Sequence, residues 1–327
     1  MESRILGRTG RNVSVIGLGT WQLGADWGDV SEDDALTVLD ASVENGVTFF
    51  DTADVYGDGR SESLIGRFRA ANPELDLTVA TKMGRRADQT PENYTAANFR
   101  AWVDRSRTNL GVDTLDLVQL HCPPTAVFHN NAVYDALDAL VDDQSIAAYG
   151  VSVEEADQAL AAIERPGIAT VQIIFNAFRL KPLDAVLPAA AEAGVGIIVR
   201  VPLASGLLSG KYTAETTFAA SDHRTFNRHG EAFDQGETFS GVDFEEGVAA
   251  AQEFARAIPE SVSVPQAALK WIVEQPGVST VIPGARNVSQ AASNAQAASV
   301  PELGADVDRV VHDIYDRHFR ASIHPRW

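Results

Sequence analysis

The stretch Thr48-Phe49-Phe50-Asp51-Thr52-Ala53-Asp54-Val55-Tyr56-Gly57 joins a short apolar run to an acid, a phenol and a glycine. Two later stretches repeat this plan: Val79-Ala80 leads into Thr81-Lys82, and Leu115–Leu120 leads into His121. Runs that are apolar on both faces are typical of parallel strands buried on both sides of a sheet. Each run therefore predicts a strand that ends at a polar residue.

Eight such runs alternate with amphipathic segments of helical length. Eight strand–helix repeats predict closure of a parallel sheet into a (β/α)8 TIM barrel, which takes roughly 250 residues. Two runs ahead of the first strand, Arg4–Leu6 and Val13–Val15, predict an N-terminal β-hairpin. The predicted strands are Ile16–Leu18, Thr48–Phe50, Leu77–Ala80, Leu115–Leu120, Ala147–Val151, Thr170–Ile174, Gly196–Val199 and Thr280–Ile282. The predicted crossover helices include Glu32–Glu44, Ala96–Leu110, Ala132–Asp142, Glu154–Glu164 and Asp184–Glu192.

One segment breaks the alternation. From Pro202 to about Asp243 the chain is polar and lacks a periodic apolar pattern. Because it follows the seventh strand, we expect a long loop at the barrel mouth, either a functional lid or a disordered segment. Asp306–His318 predicts a C-terminal helix on the outside of the barrel, followed by an exposed stretch, Ala321–Trp327. We expect residues 1–327 to form a single domain.

Composition limits the classes of function. The 327 residues include 26 basic and 45 acidic side chains, a net charge of −19, so we expect no binding to nucleic acid. Compositional bias and adaptation to high salt would both give this acidity. No apolar run reaches the roughly 18 residues of a membrane span, and the first residues lack a secretory pattern. The single cysteine, Cys122, fits a reducing compartment. We therefore expect a cytoplasmic protein, with its oligomeric state open.

The residues that end three successive strands carry complementary chemistry. Asp51 and Tyr56 follow the second strand, Lys82 ends the third and His121 ends the fourth. TIM-barrel active sites gather at the carboxyl ends of the strands, which lie about 4.8 Å apart, so these groups can converge. Each residue alone has an ordinary structural explanation, but their joint placement favours a site.

This set suits proton delivery to a carbonyl oxygen. An ammonium at Lys82 would lower the pKa of the Tyr56 phenol, Asp51 would keep Lys82 charged, and His121 would orient the substrate oxygen. No side chain donates a hydride, so reduction of a carbonyl requires a cofactor.

Two segments predict phosphate binding. Gly284 and Arg286 follow the eighth strand and open a helix whose early turns carry Gln290 and Asn294. A helix N-terminus and a guanidinium both bind phosphate. The loop after the seventh strand is suited to wrap a pyrophosphate with its backbone N–H groups, and a plain Gly/Ser loop is the alternative. The residues of that loop are Pro202, Leu203, Ser205, Gly206, Leu208, Gly210 and Lys211.

With these motifs, the sequence resembles the aldo-keto reductase superfamily from end to end. The segments Arg4–Gly10, Gly17–Trp21 and Gly150-Val151-Ser152 correspond to the family pattern, as do the four strand-end residues. The loop Gly206-Leu207-Leu208-Ser209-Gly210-Lys211-Tyr212 is similar to that of the bacterial-type branch. That branch also contains proteins like the potassium-channel β-subunit.

The resemblance implies NADPH-dependent reduction of an aldehyde or ketone to an alcohol, with Tyr56 as the general acid. NADPH would become NADP⁺, and NADH is the less favoured cofactor. The implied catalytic tetrad is Asp51, Tyr56, Lys82 and His121. The implied cofactor contacts beyond the phosphate segments are Thr20, Trp21, Ser152, Gln172, Asn176 and Arg200. Ser152 and Gln172, with Asn176, would hold the nicotinamide carboxamide, although this chain has Val153 where the family commonly has asparagine.

Arg200 stands where many family members stack a tyrosine on the nicotinamide. A guanidinium there would disfavour the positively charged oxidised ring and so favour NADPH over NADP⁺. The alternative is that Arg200 turns away to bond a carboxylate, so that only its stem packs. An arginine at Arg286 would select the 2′-phosphate of NADPH.

The substrate pocket is predicted from its aromatic residues. Trp21, Trp27, Tyr56 and His121 would wall a cavity for a small carbonyl compound, and the alternative makes the two tryptophans core or rim anchors. Histidines 312, 318 and 324 recur every six residues and scatter around a helix, so we expect no metal site.

Two other functions stay open: an NADPH-binding, redox-sensing regulatory subunit, and a cofactor-free barrel hydrolase or isomerase.

Overall fold

The computed structural model describes residues 1–24 and 30–327, and in them eight parallel strands follow one another around a barrel in chain order. The antiparallel hairpin of β1 (Ser3–Ile5) and β2 (Asn12–Ser14) precedes them. The barrel strands are β3 (Leu18–Gly19), β4 (Phe49–Asp51), β5 (Thr78–Met83), β6 (Leu117–His121), β7 (Tyr149–Ser152), β8 (Ile168–Ile174), β9 (Gly196–Arg200) and β10 (Val278–Val281). The predicted TIM barrel and its N-terminal hairpin are confirmed.

Helices cover the outside of the barrel. The first six are α1 (Glu32–Glu44), α2 (Arg60–Ala71), α3 (Ala96–Leu110), α4 (Asn131–Asp142), α5 (Ala156–Ile163) and α6 (Val186–Ala193). The later ones are α7 (His223–Phe226), α8 (Phe244–Ala257), α9 (Val264–Glu274), α10 (Val288–Gln296), α11 (Gly304–His318) and α12 (Arg320–Ile323). Within the described ranges, no helix is long and apolar enough to cross a membrane.

Local signals set the helix ends. The Ser31 hydroxyl accepts a hydrogen bond from the backbone N–H of Asp34 at 3.0 Å, and three acidic residues fill the first turn of α1. These features stabilise a helix N-terminus. Helix α3 ends at Gly111, whose φ of 66° is left-handed. The sequence predicts both helices with the bounds that the structure shows.

The barrel closes where the first and last strands meet at glycines. The backbone N–H of Gly17 donates to the Val281 carbonyl at 2.8 Å, and that of Gly19 donates to the Pro283 carbonyl at 3.0 Å. A Cβ at Gly19 would lie 2.9 Å from the Ile282 carbonyl oxygen. Glycine is therefore required for the two strands to approach closely enough to close the barrel.

The barrel interior has two layers. The lower layer is apolar, and Leu6 and Val13 of the hairpin close it from below. The other members of this layer are Phe49, Ala80, Leu117, Ile198 and Ile282. Above it, at the carboxyl ends of the strands, the interior holds buried polar side chains, among them Asp51, Lys82 and Gln172. Polar groups buried at this depth are stable only if they bond one another.

The segment from Pro202 to Asp243 is folded by its own hydrogen bonds. The buried Asn227 side chain accepts from the backbone N–H groups of Ala232 and Phe233, both at 2.8 Å, and donates to Thr238 Oγ1 at 3.1 Å. Short helical pieces, His223–Phe226 and Gln235–Glu237, shape part of the rest. The segment is thus a structured loop over the barrel mouth.

The prediction that Ala321–Trp327 is exposed holds for Ala321, Ser322, Pro325 and Arg326 but is wrong at two positions. Ile323 and Trp327 are buried, and the Trp327 indole N–H donates to Asp234 Oδ1 at 3.0 Å. The indole also packs under the guanidinium of Arg179, 4.4 Å from the ring centroid. The ring also lies against Gly236 and Gly241 of the long loop, where a side chain would collide with it. Trp327 therefore packs onto the long loop although its neighbours in sequence are polar.

We predict that Trp327→Ala loosens the long loop. Loss of this buried indole should lower the free energy of unfolding by about 3 kcal/mol. Urea unfolding measures the loss, and limited proteolysis should detect faster cleavage between residues 202 and 243. The control is Phe226→Ala, because Phe226 is 43% exposed. Equal unfolding and cleavage in wild type and Trp327→Ala would contradict this account.

Candidate active site

Strand register brings the predicted polar residues to one end of the barrel. His121 at the end of β6 pairs with Ser152 at the end of β7, and Ser152 pairs with Gln172 in β8. Asp51 ends β4, and Lys82 lies near the end of β5. These side chains therefore line the carboxyl end of the barrel, as the sequence predicts.

A buried ion pair occupies the centre of this end. The Lys82 ammonium contacts Asp51 Oδ1 and donates to the Thr52 carbonyl at 2.8 Å. Lys82 and Asp51 are both almost fully buried. The same ammonium lies 3.4 Å from the hydroxyl oxygen of Tyr56, which is partly buried. One cation thus links the carboxylate to the phenol.

The electrostatics of the pair keep Lys82 charged and Tyr56 protonated. Burial is the largest single influence on the pKa of Lys82 and lowers it, but Asp51 and Tyr56 together outweigh burial and raise that pKa above its ordinary value. Burial raises the pKa of Tyr56 above 10, and Lys82 opposes this increase only in part. The prediction that Lys82 lowers the pKa of Tyr56 is wrong in its net direction, because burial outweighs the ammonium. The phenol is therefore held in its acid form.

His121 is neutral at this site. Burial lowers the pKa of its imidazole well below the ordinary value, and the charges of Arg85, Lys82 and Arg200 add to the effect. Its ring lies 6.1 Å from that of Tyr56 in an edge arrangement, and its Nδ1 is buried without a hydrogen-bond partner among the described residues. A neutral imidazole beside the phenol can accept or donate one hydrogen bond to an oxygen placed between them.

Three amide and hydroxyl side chains support the ion pair. Gln172 Nε2 donates to Asp51 Oδ2 at 2.8 Å, and Gln119 Nε2 donates to the same oxygen at 3.2 Å. Ser152 Oγ donates to Gln172 Oε1 at 3.3 Å. Gln119 is not among the site residues predicted from the sequence. The one feature of the sequence that could have indicated it is its position two residues before His121, on the same strand.

A second charged cluster borders the site, and of its members only Arg200 is predicted from the sequence. Glu237 Oε1, from the long loop, lies 3.2 Å from Arg85 Nη2 and 3.5 Å from Arg200 Nη1. Arg85 also lies 3.4 Å from Glu154 Oε1. Arg200 donates to the Val153 carbonyl at 3.0 Å. The Arg200 guanidinium is therefore paired with a carboxylate, the second of the two arrangements considered for it.

The pocket wall beside Tyr56 is aromatic. Trp21 stacks near Tyr56 with ring centroids 6.2 Å apart, and it also contacts His223 and Phe233 of the long loop at 5.5 Å and 6.0 Å. The loop residues are additions to the predicted pocket. Trp27 lies outside the described residues.

Thr20, predicted as a cofactor contact, is fully buried, and its hydroxyl donates a hydrogen bond to the Asp51 carbonyl at 2.9 Å.

The segment after β10 is organised as a turn onto a helix. The backbone N–H of Arg286 donates to Gln290 Oε1 at 2.8 Å, and Asn294 Nδ2 donates to the Gly284 carbonyl at 3.1 Å. Asn287 caps α10 by accepting from the Gln290 N–H at 2.9 Å. The structure thus brings together the predicted phosphate-segment residues at a helix N-terminus.

The loop after β9 has a strained backbone. Ala204, Ser205 and Gly206 all have positive φ, at 46°, 52° and 97°. Such strain outside glycine is uncommon and concentrates at binding sites. Leu208, predicted as a cofactor contact, is fully buried in the core, so neither its side chain nor its backbone faces a ligand. Gly210 and Lys211 are exposed.

Asn176 has a structural task in the same region. Its amide donates to the Val201 carbonyl at 2.9 Å and to Ser240 Oγ at 2.7 Å, and its oxygen accepts from the Phe178 N–H at 2.9 Å. The side chain therefore fastens the two ends of the long loop. The side chain is fully buried, so the structure gives it this role in place of the cofactor contact implied by the resemblance.

The fold and the placement of these groups define a TIM-barrel enzyme. The sequence model of the aldo/keto reductase family matches residues 15–314, and the chain belongs to that family. It is an oxidoreductase of the family, which confirms the resemblance seen in the sequence.

Individual proteins show the same similarity. The chain is 30% identical over 300 residues to the aldo-keto reductase YhdN of Bacillus subtilis strain 168, covering 89% of this chain and 86% of that protein. It is 29% identical over 327 residues to the uncharacterized oxidoreductase YqkF of the same strain, covering 97% and 99%. Among solved structures, the glycerol dehydrogenase AKR11B4 from Gluconobacter oxydans matches with a TM-score of 0.80 and 30% identity, covering 99% and 98%.

One buried carboxyl group in the active-site loop has no assigned task. Asp54 lies between Asp51 and Tyr56, and its backbone N–H donates to the Lys82 carbonyl at 3.1 Å. It is fully buried, and in the described part of the chain neither carboxylate oxygen has a hydrogen-bond partner. Burial raises the pKa of Asp54 to about 7, and the nearby Glu62 adds to this shift.

We predict that Asp54→Asn removes a pH dependence of stability. Since the folded pKa is raised, the native state holds the proton between about pH 4 and pH 7 while the unfolded chain releases it. The stability of wild type relative to the variant should therefore fall across this range, by up to about 4 kcal/mol. Urea unfolding at pH 4, 5, 6, 7 and 8 measures the difference. Parallel pH profiles for the two proteins would contradict the shift.

Proposed function

We propose that this protein reduces an aldehyde or ketone to an alcohol with NADPH, in a reversible reaction in which Tyr56 is the general acid. The observation that carries the proposal is the 3.4 Å contact of the Tyr56 hydroxyl with the Lys82 ammonium, next to a neutral His121. A small-molecule carbonyl compound is the substrate.

The side chains divide the proton chemistry among them. Tyr56 gives its proton to the carbonyl oxygen as that oxygen gains charge, and Lys82 stabilises the phenolate left behind. Asp51 keeps Lys82 charged and aimed at the phenol. His121 hydrogen-bonds the carbonyl oxygen and sets its position. NADPH, when bound, supplies the hydride that the carbonyl carbon accepts.

Residues of this chain fit the proposed cofactor. The strained turn of Ala204, Ser205 and Gly206 suits close approach of backbone to a pyrophosphate. Gln172 Oε1 accepts a bond from Ser152 and keeps a second lone pair for a carboxamide N–H. The other residues that would hold NADPH are Trp21, Arg200, Pro202, Leu203, Gly210, Lys211, Gly284, Arg286, Gln290 and Asn294.

The pairing of Arg200 changes one expectation. Because Glu237 lies 3.5 Å from Arg200, it offsets the charge that would repel an oxidised nicotinamide. We therefore expect little difference between the affinities for NADPH and NADP⁺ to arise from Arg200.

Tyr56→Phe tests the general acid. Removing the hydroxyl should lower kcat for aldehyde reduction by about 10²- to 10⁴-fold, because no group remains to protonate the oxygen. NADPH oxidation at 340 nm measures the rate. Quenching of tryptophan fluorescence by NADPH serves as the control and should stay within about twofold of wild type.

Two outcomes of this experiment would contradict the proposal. Full turnover by Tyr56→Phe would remove Tyr56 from the role of acid. Wild-type protein that binds NADPH tightly yet turns over every carbonyl slowly would favour the redox-sensing alternative.

Arg286→Ala tests the choice of cofactor. If Arg286 binds the 2′-phosphate, the variant should lose about tenfold or more in NADPH affinity, while NADH affinity stays unchanged. Dissociation constants for both cofactors, from fluorescence titration, measure the ratio. Arg256→Ala, at an exposed site in the last turn of α8, is the matched control. An unchanged NADPH to NADH ratio would overturn the assignment.

A further inference from the structure

The loop carboxylate Glu237 is held at the active site by contacts on every side. Its backbone carbonyl accepts from Ser205 Oγ at 3.0 Å, and the turn before it is fixed by Asp234, which accepts from the Gly236 N–H at 2.7 Å. Its side chain is 10% exposed. The loop therefore places a buried negative charge at one defined position.

That charge lies between the guanidiniums of Arg85 and Arg200, which come from opposite sides of the barrel mouth. Arg85 follows β5, the strand of Lys82, and Arg200 ends β9. The Arg200 side chain is 9% exposed and the Arg85 side chain 22%. Two guanidiniums this close to each other form a ready site for a carboxylate or phosphate, and Glu237 fills it from within the chain.

The cluster faces the groups that would act on substrate. The charges of Arg85 and Arg200 both lower the pKa of His121, and the charge of Glu237 raises the pKa of Tyr56. The geometry agrees, since Arg200 Nη2 lies 3.6 Å from Sγ of Cys122, the residue that follows His121, and Arg85 lies three residues after Lys82. An anionic group on a carbonyl substrate would meet the same guanidiniums.

The remaining acid of the cluster is a weak counterion. Glu154 lies 3.4 Å from Arg85, and burial raises the pKa of its carboxyl to about 7. By contrast, Arg200 and Arg85 overcome the effect of burial on Glu237 and hold its pKa below the ordinary value. At neutral pH, Glu237 is thus the principal counterion of the two arginines.

We propose that Glu237 is a specificity-determining residue: it occupies the Arg85–Arg200 pair and so selects uncharged carbonyl substrates over carboxylate-bearing ones. The inference rests on the proposed function, because it concerns the substrate of the same site. Without the Glu237 charge, the two arginines would bind the carboxylate of an oxo acid instead.

The test compares matched substrates. Wild type and Glu237→Gln are assayed with NADPH on oxo acids of two to five carbons that carry an aldehyde at one end, and on the uncharged aldehyde of each length. We expect the ratio of kcat/KM for oxo acid over aldehyde to rise tenfold or more in Glu237→Gln, through a lower KM for the acid. Glu231→Gln, on the same loop and exposed, is the matched control and should leave the ratio unchanged.

A binding measurement and a second variant guard against loss of fold. Butyrate, titrated by calorimetry without cofactor, should bind Glu237→Gln at least tenfold more tightly than wild type. Because removing one partner of a buried charge cluster can destabilise a protein, the double variant Glu237→Gln/Arg85→Gln restores the charge balance. It should return both the substrate ratio and butyrate affinity toward wild type.

The outcomes separate the two proposals. If wild type reduces no carbonyl compound with NADPH, the proposed function fails. If wild type reduces aldehydes but Glu237→Gln keeps the wild-type substrate ratio and butyrate affinity, this inference alone is overturned. This inference alone is also overturned if the double variant gains as much affinity for butyrate as Glu237→Gln does.

Discussion

The buried contact between Lys82 and Asp51 is the constraint on which the barrel mouth depends. Taking two charges out of water costs several kcal/mol per ion unless geometry and further hydrogen bonds compensate. Here the carboxylate also accepts from Gln119 and Gln172, and the ammonium donates to the Thr52 carbonyl. These partners come from β6, β8 and the segment after β4. The ion pair therefore links several strands, and the phenol of Tyr56 lies against a cation held by Asp51 and the Thr52 carbonyl.

Features that are local in sequence could be predicted, and features that join distant segments could not. Strands buried on both faces read as apolar runs, so the barrel and the residues that end its strands, such as Lys82 and His121, are evident. The pairing of Arg85 with Glu237 joins residues 152 positions apart. The burial of Trp327 depends on Asp234, 93 positions away. Neither pair is marked by a periodicity or a motif in the sequence, because each forms through the path of the long loop and not through a helix or strand.

Charge is distributed in opposite ways over the surface and in the mouth. The chain carries a net charge of −19, so at long range it repels polyanions, including the phosphates of the proposed cofactor. Its arginines and Lys82 at the barrel mouth act at short range, where salt screens them less than exposed charges. Rising ionic strength should weaken the general repulsion more than the local attraction.

The two interior layers of the barrel separate the demands of folding from those of chemistry. The apolar layer of Phe49, Leu117 and Ile198, closed by the hairpin, contains none of the groups proposed to react. The polar layer above it is built from other residues of the same strands. Substitutions that improve packing in the apolar layer can therefore accumulate without altering the reaction centre. The free energy of unfolding that they add can offset the loss caused by destabilising substitutions at the barrel mouth. The architecture gives the chain a route to new substrates through its loops while its foundation stays the same.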